Sequence, residues 1–283
     1  MVIAPPIRRR LVGRALRGYR ETLGYTLSDA ARMLECDPSK ISRIETGQRS
    51  IRGKELRELL GEYGIAGEQQ DILTLLADPR GAFGWHREFA DVLPGAWEDY
   101  LILETAAAKI YAYEAQQVPG LLQTPAYARA LADADPALEY AADRERAVAA
   151  VLARQQAILG EHKPDTHLVI GQAALHQQVG SPAIMNEQLK HLAQVAGDSG
   201  TVTLQLLPFE AGAHPAAGEG SLAILQFPGT PGLGIVHRGG IGGGTCLEDR
   251  DDLAAYAEAF DQLRAFADTP AQSALLLRGL AEY

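Results

Sequence analysis

Apolar residues recur at helical spacing through the first 77 positions of the chain and predict a series of short amphipathic helices. Leu11, Ala15 and Leu16 form an inner stripe in the first helix, and Ile41 and Ile44 lie three apart in the third. The predicted helices cover approximately residues 8–23, 27–34, 38–46, 54–63 and 68–77. We expect these five helices to complete a first domain at residues 1–77.

Capping residues mark the ends of the second and third of these helices. Thr26 is placed to cap the second, and Asp37 caps the third with Pro38 at its first helical position, where a missing N–H costs nothing. Gly47 then ends the third helix, as expected of a residue that adopts a left-handed conformation. Two short helices joined by a tight turn are therefore predicted at residues 26–47.

The pattern changes after residue 100, where runs of strand-like residues separate amphipathic helices. We predict one helix from about Leu101 through Ala115 and further helices at about 143–159, 182–196 and 251–267. Strands are predicted at His167–Ile170, Val202–Leu207, Leu222–Phe227 and Leu233–His237. The third strand is apolar on both faces, which indicates an interior strand. The fold class is α+β: a five-helix domain followed by a mixed α/β domain at 101–283.

Residues 78–100 join the two domains and are rich in glycine, proline and aromatic residues. A flexible linker has fewer aromatic residues and more serine. We therefore predict a packed connector, in which Trp85 and Trp97 serve as docking residues more readily than as ligand contacts.

Charge is also distributed unevenly along the chain. Residues 1–60 hold 13 Lys+Arg and 7 Asp+Glu, a net of +6, whereas the remaining residues hold 13 and 29, a net of −16. A basic head on an acidic body concentrates attraction for phosphate in one module. Cys36 and Cys246 are far apart and lie in no motif, and no apolar run is long enough to cross a membrane. We expect a cytoplasmic protein with no membrane partner.

The predicted third helix carries an outer face of Ser39, Lys40 and Arg43. Lys and Arg bond guanine O6 and N7 in the major groove, and Ser can serve base edges or phosphate. Arg49 and Arg52 follow in a loop where they can hold the DNA backbone. The alternative is a surface helix pair with ordinary solvated charges. The arginine run at residues 8–10 is open to the same two interpretations.

Residues 8–63 resemble the Xre-type helix-turn-helix DNA-binding domain. The matching residues are Arg20, Leu23-Gly24, Thr26, Ala31, Ile41-Ser42-Arg43-Ile44-Glu45 and Gly47. The resemblance implies that Ser39, Lys40 and Arg43 enter the groove and that Arg20 and Glu45 form a structural ion pair. Many relatives carry Gln or Ser at the position of Leu27, so the backbone contact there passes to Thr26 or Ser28. The full set of expected backbone contacts is Thr26, Ser28, Thr46, Arg49 and Arg52.

The second domain resembles an uncharacterised domain that follows Xre-type heads in many actinobacterial regulators. The likeness rests on the sequences EAQQVPGLLQTPAYARAL at 114–131, RQQAIL at 154–159, VTLQLLPFEAGAHPA at 202–216, LAILQFP at 222–228 and TPAQSALLL at 269–277, with Glu104 as a further landmark. It implies a transcriptional regulator, often encoded beside a small partner protein in a toxin–antitoxin-like or developmental arrangement. It implies no established ligand.

Catalytic and metal-binding signatures are missing from the sequence. The histidines show no metal spacing, and neither a nucleophile elbow nor a phosphate loop is present, so we expect no enzyme, metal or cofactor. The glycine-rich run at 239–244 lacks a following lysine and is more typical of a hairpin. The chain departs from its relatives in ending a strand with His237-Arg238. We expect these two residues, with His214, to contact a partner or an anionic effector, the alternative being a surface hairpin without a role.

These observations favour a sequence-specific DNA-binding regulator whose second domain senses an effector or a partner protein. A double-stranded operator is its expected target. We also expect a homodimer, because one recognition helix reads only about four to five base pairs. Two alternatives remain open: an antitoxin-like module that sequesters a small partner protein, and a biosynthetic enzyme with a vestigial DNA-binding head.

Overall fold

The computed structural model describes residues 5–78, 85–93, 97–198, 200, 202–228, 232–240 and 244–281. Parts of the predicted connector, residues 79–84 and 94–96, lie outside this description, as do 241–243 of the glycine-rich run. The first domain contains α1 (Ile7–Thr22), α2 (Leu27–Met33), α3 (Pro38–Glu45), α4 (Gly53–Glu62) and α5 (Glu68–Ala77). These helices follow the predicted order and fall close to the predicted bounds.

Local hydrogen bonds fix the turn between α2 and α3. Asp29 N–H donates to Thr26 Oγ1 at 3.2 Å while Thr26 N–H donates to Asp29 Oδ2 at 2.8 Å, which is a reciprocal cap. Asp37 Oδ1 accepts from Ser39 N–H at 2.7 Å at the start of α3, and Gly47 ends that helix at a φ of 72°. A Cβ at Gly13 of α1 would lie 2.5 Å from the carbonyl oxygens of Ile44 and Glu45, so glycine allows α1 to cross α3 closely.

The second domain is built on a six-stranded mixed sheet of order β3-β2-β1-β4-β5-β6. The strands are β1 (Lys109–Glu114), β2 (Asp165–Gly171), β3 (Val202–Leu207), β4 (Ser221–Gln226), β5 (Gly234–Arg238) and β6 (Thr245–Leu247). β1, β2 and β3 are parallel, whereas β4 pairs antiparallel with β1, and β5 and β6 continue antiparallel. The prediction that β4 is an interior strand is confirmed, because it lies between β1 and β5.

Helices cover both faces of this sheet. They are α6 (Trp85–Glu88), α7 (Trp97–Ala106), α8 (Pro125–Ala134), α9 (Ala141–Gln155), α10 (Ala173–His176), α11 (Pro182–Gly197), α12 (Arg250–Phe266) and α13 (Pro270–Ala281). Residues Gln156–His162 extend α9 as a π-helical turn. Leu168 and Ile170 of β2 pack with α11 and α13, whereas Val169 between them packs with α12. The alternation of β2 thus buries both faces of the sheet.

The predicted helix through Ala115 is wrong in its second half. α7 ends at Ala106, and Lys109–Glu114 forms β1. Leu103, Ala107 and Ile110 have spacings of four and three, which fit a helix, but β1 itself (KIYAYE) holds one β-branched residue and two tyrosines, which favour a strand. Pairing with β2 on one side and β4 on the other makes this segment a strand. Such contacts join residues far apart in the chain, so the local sequence does not reveal them. The short β6 was also missing from the prediction.

The two domains share one hydrophobic core through α7. Every residue from Tyr100 to Ala106 is buried, as expected of a helix packed on all sides. Leu101 and Leu103 join a cluster with Leu11 of α1 and Leu73 of α5. No helix among the described residues is long and apolar enough to span a membrane.

Ion pairs reinforce the contact between α1 and the second domain. Arg8 Nε donates to Asp99 Oδ1 at 3.1 Å, and the backbone N–H of Ile7 donates to Oδ2 of the same carboxylate at 3.0 Å. Arg10 bonds Glu248, just beyond β6. Arg8 and Arg10 therefore bind the acidic second domain, so free solvation does not describe them, and contact of this arginine run with DNA stays a prediction.

Arg20 of α1 and Glu45 of α3 lie in contact at the centre of the first domain. Arg20 Nε donates to Glu45 Oε1 at 2.6 Å and Nη2 donates to Oε2 at 2.9 Å, while Nη1 donates to the carbonyl of Tyr25 at 2.8 Å. Both residues are buried, and the hydrogen bond that Arg20 donates to Glu45 raises the pKa of Arg20. The geometry ties the first helix to the end of the third.

We expect Glu45→Ala to lower the free energy of unfolding of the full chain by about 3–5 kcal/mol, because it leaves a buried guanidinium without its carboxylate. Denaturant unfolding followed by circular dichroism measures this change. Arg17→Ala is the matched control: Arg17 pairs with Glu21 at 2.8 Å, but both side chains are more than half exposed. We expect no measurable effect there. Equal losses in the two variants would show that burial of the Arg20 pair contributes nothing.

Candidate functional site

The outward face of α3 is open at two of the three predicted base-contacting residues. Ser39 and Arg43 are exposed, and Arg43 Nε donates to the Ser39 carbonyl at 3.2 Å. Lys40 is half-buried, and its Nζ donates to Glu55 Oε1 of α4 at 2.7 Å. Contact between Lys40 and a base therefore requires this ion pair to break. Contact between Arg43 and a base breaks only a hydrogen bond to an uncharged carbonyl group.

The predicted backbone contacts lie around this face. Thr26, Ser28, Thr46, Arg49 and Arg52 are all exposed. Two of the hydroxyl groups already donate within the chain: Thr26 Oγ1 to Asp29 at 2.6 Å and Thr46 Oγ1 to the Ser42 carbonyl at 2.9 Å. A threonine hydroxyl has lone pairs left but only one proton, so phosphate contact by these two needs reorientation. Contacts with DNA remain a prediction for the whole set.

The three residues predicted to contact an effector or partner do not form one site. His237 and Arg238 are neighbours on β5 and point to opposite faces of the sheet. Arg238 is exposed, and its Nε donates to Glu219 Oε2 at 2.8 Å, while Tyr256 donates to the other oxygen of Glu219 at 3.2 Å. His237 is buried with its ring 4.3 Å from that of Tyr100. His214 lies edge-on to Tyr113, with ring centres 5.8 Å apart.

A cavity of about 750 Å³ opens in the second domain between α7, α8, α9 and the sheet. Its polar and aromatic wall includes Trp97, Tyr100, Glu104, Glu114, Gln123, Arg154 and His237. Its apolar wall includes Ala128, Leu131, Leu138, Val151, Leu168 and Val179. Volumes of roughly 300–1,000 Å³ with a mostly apolar lining and a few polar groups are typical of small-molecule sites.

A buried ion pair forms one wall of this cavity. Glu104 of α7 is fully buried, and Arg154 of α9 donates to it twice, from Nε to Oε2 and from Nη2 to Oε1, both at 2.6 Å. Tyr100 donates to Glu104 Oε1 at 2.9 Å. Burial opposes the charge on Arg154, but the contact with Glu104 keeps the pKa of Arg154 above its ordinary value. The guanidinium also lies 5.7 Å from the ring centre of Trp97.

Glu114, at the end of β1, is a second carboxyl group in the cavity wall. It is half-buried, and burial raises its pKa to about 7. Ser221, its partner in β4, donates a hydrogen bond that opposes this rise, and so does the charge of Arg154. Glu114 forms no salt bridge with any residue in the described parts of the chain.

The VPGLLQT segment at 118–124 forms a rigid edge of the cavity. Gln155 Nε2 donates to the carbonyls of Gly120 and Gln123, both at 2.8 Å. Gln188 of α11 accepts from Thr124 N–H and donates to the Leu122 carbonyl, both at 2.7 Å. Glutamine side chains therefore replace the backbone partners that this turn lacks.

Sequence reasoning assigned no role to Glu104, Glu114 or Arg154. Each lies within a segment that resembles the family, next to residues that carry no charge, and an isolated charged residue in such a segment is a signal that the sequence offers. The sequence does not show that these three side chains lie in one cavity wall, because only the order of the strands in the sheet brings them together. No group of three His, Cys, Asp or Glu side chains within the described residues is placed to hold a metal ion.

Comparison with known families finds two matches. Residues 97–279, more than half of the chain, match a domain of unknown function (DUF5753). Residues 11–72 match a helix-turn-helix domain, which points to DNA binding and transcription regulation. Neither a curated protein nor a solved structure matches the chain.

Glu114→Gln should stabilise the protein at pH 8 and leave its stability unchanged at pH 4. Below about pH 4.5 the carboxyl is protonated in both states, but between there and pH 7 only the unfolded state ionises. Stability is therefore lost as pH rises through this window, by at most about 3 kcal/mol, and the amide removes that loss. Thermal unfolding at the two pH values measures the difference.

Glu210→Gln is the matched control, since it removes one carboxylate from an exposed position outside the cavity. It should give no pH-dependent gain. A gain for Glu114→Gln that is equal at pH 4 and pH 8 would contradict the assignment.

Proposed function

Because the chain belongs to the DUF5753 family and carries a helix-turn-helix domain at its start, we propose that it is a cytoplasmic, sequence-specific transcriptional regulator whose second domain receives the signal. The first domain binds an operator in double-stranded DNA, and the second binds a small effector molecule. The protein acts as a homodimer, because one α3 reads too few base pairs to be selective.

The observation that carries the DNA-binding role is the chemistry of the open face of α3. Arg43 and Ser39 are exposed on the helix that follows the turn, with Arg49 and Arg52 exposed on the loop beyond it. An arginine on such a helix can bond a guanine edge in pairs, and arginines beside it can hold phosphates. The ion pair of Arg20 with Glu45 supports this role, because it holds α3 against α1 from behind.

The signalling role is supported by the place of α7. Trp97, Tyr100 and Glu104 of this helix line the cavity, whereas Leu101 and Leu103 belong to the cluster that includes α1 and α5. A ligand that displaces α7 therefore also acts on the packing of the first domain. Such coupling needs a difference in ligand affinity between two arrangements of α7.

The cavity also favours an effector over the two alternatives. An antitoxin-like module needs a surface for its partner, and the large exposed apolar side chains, such as Tyr140, Phe209 and Leu275, are scattered over different elements. A carboxyl-based enzyme usually needs two carboxyl groups free to act. Of the two that are at least half-buried in this wall, Glu104 is held by Arg154 and Tyr100, which leaves Glu114 without a free carboxyl partner beside it. Copurification of a small partner protein with the full chain would favour the antitoxin-like module instead.

Arg43→Ala should weaken binding to the preferred operator by about 1–3 kcal/mol and relax its specificity, because a base contact is lost. The operator is first selected from random duplex DNA with the full chain, and binding is then measured by fluorescence anisotropy on that duplex and on a scrambled one. Lys40→Ala should cost the same only if the pair with Glu55 opens on DNA, and Glu55→Gln should then tighten binding.

Arg49→Ala is the matched control for a phosphate contact. It should weaken binding evenly on both duplexes and lower the slope of log affinity against log salt by about 1. Equal losses on the two duplexes for Arg43→Ala would remove Arg43 from base readout. Failure of the selection to enrich any sequence would overturn the proposed function.

A further inference from the structure

We propose that the cavity in the second domain binds a small organic molecule that carries a basic amine, with its ammonium group against Glu114 and its apolar part against the wall that α8 and α9 form together. This inference deepens the proposed function by naming the chemical class of the effector. It rests on the charge, lining and size of the cavity.

The charge of the cavity favours a cation. Its wall holds the carboxyl groups of Glu104, Glu114 and Asp135 against the guanidinium of Arg154. Arg154 is engaged at two atoms by Glu104, so these two charges offset each other. Tyr100, Tyr113 and Tyr127, whose pKa values the charge of Glu114 affects, add no charge, since a tyrosine is neutral near pH 7 and burial raises the pKa of each further. An incoming anion would therefore meet uncompensated carboxylates.

Glu114 is the group best placed to bind the ammonium. Asp135 is exposed at the rim and accepts from the Ala137 N–H at 2.9 Å, whereas Glu114 is half-buried and forms no salt bridge to a described residue. A charge-assisted hydrogen bond in a site shielded from water is stronger than one at the surface. An ammonium would add a direct ion pair to the hydrogen bond from Ser221, which alone does not offset the cost of desolvating the Glu114 carboxylate.

The apolar residues of the cavity wall indicate the chemical character of the part of the ligand beyond the amine. Ala128 and Leu131 of α8, Val151 of α9 and Leu138 between these helices all line the cavity. Ala128, Leu138 and Val151 pack in one hydrophobic cluster, so the two helices form a continuous apolar wall. The polar groups of the VPGLLQT edge are occupied by Gln155 and Gln188, so they add little demand for ligand hydrogen bonds. A hydrocarbon or aromatic body with one amine fits this lining better than a sugar or a nucleotide.

The same observations count against the anionic signal predicted at Arg238. Glu219 already neutralises Arg238, and an anion there would have to displace that carboxylate. The small pocket beside it is lined mainly by glycines such as Gly218, Gly220 and Gly239, which offer little surface. We therefore assign the signal to the larger cavity.

Matched probe triples test the chemical class. The probes are 4-phenylbutylamine, 4-phenylbutan-1-ol and 4-phenylbutanoate, with the cyclohexyl equivalents as a second skeleton. Binding to the full chain at pH 8 is followed by saturation-transfer NMR and by titration calorimetry. Both amines should bind at least tenfold more tightly than their alcohols, and the carboxylates should bind most weakly.

Substitution and pH locate the amine. Glu114→Gln should reduce amine affinity at least tenfold and leave alcohol affinity unchanged, whereas the exposed control Glu210→Gln should change neither. Amine affinity should fall about tenfold for each pH unit below 7, because the carboxyl of Glu114, whose pKa is about 7, must ionise. Persistence of this pH dependence in Glu114→Gln would assign it to His237, which also lines the cavity, and would overturn the inference.

Two further results would overturn the inference: tighter binding of the carboxylates than of the amines, or no binding of any probe up to its solubility limit. The operator selection, run on the same preparation, separates the two hypotheses. Operator binding without amine binding refutes the effector class alone, and amine binding without operator binding refutes the regulator.

Discussion

The ion pair between Arg154 and Glu104 is the contact on which the arrangement of the second domain depends. Burying the Glu104 carboxylate without a cation would be costly. Arg154 supplies that cation, so α9 must pack against α7 where Glu104 is buried. A buried ion pair often adds little net stability compared with apolar residues, but loss of one partner is severe. Its effect is thus positional. It fixes α7, which forms the wall of the cavity on one side and the support for α1 and α5 on the other.

The first domain was predictable because its signals are local. Thr26, Asp37 and Gly47 act on backbone groups within a few residues, so a reader of the sequence can place the turn and the recognition helix to within a residue or two. The contact of Arg20 with Glu45 came from resemblance instead, since nothing local links residues 25 apart in the chain. The ion pair of Lys40 with Glu55 was not predicted, because these residues are 15 apart in the chain and no local pattern links them.

The second domain was predictable in class but not in detail. Its long helices and four of its strands follow apolar periodicity, and they appear close to the expected bounds. The prediction missed β1, because its apolar spacing fits a helix as well as a strand. Pairing with β2 and β4 makes it a strand. The cavity was invisible for a related reason: Glu104, Glu114 and Arg154 come from α7, β1 and α9, and only the sheet order brings these three elements together.

The charge asymmetry of the sequence takes a different meaning in the folded chain. Part of the positive charge of the first 60 residues is neutralised by ion pairs within the chain, since Arg8 bonds Asp99 and Arg10 bonds Glu248. The cations left exposed beside α3, chiefly Arg43, Arg49 and Arg52, lie where the helix-turn-helix presents its open face. An acidic body repels phosphate, so the DNA target proposed above would be guided to that face. Asp99 stands on α7 itself, one residue before Tyr100 of the cavity wall, so a shift of α7 moves the anchor of α1 directly.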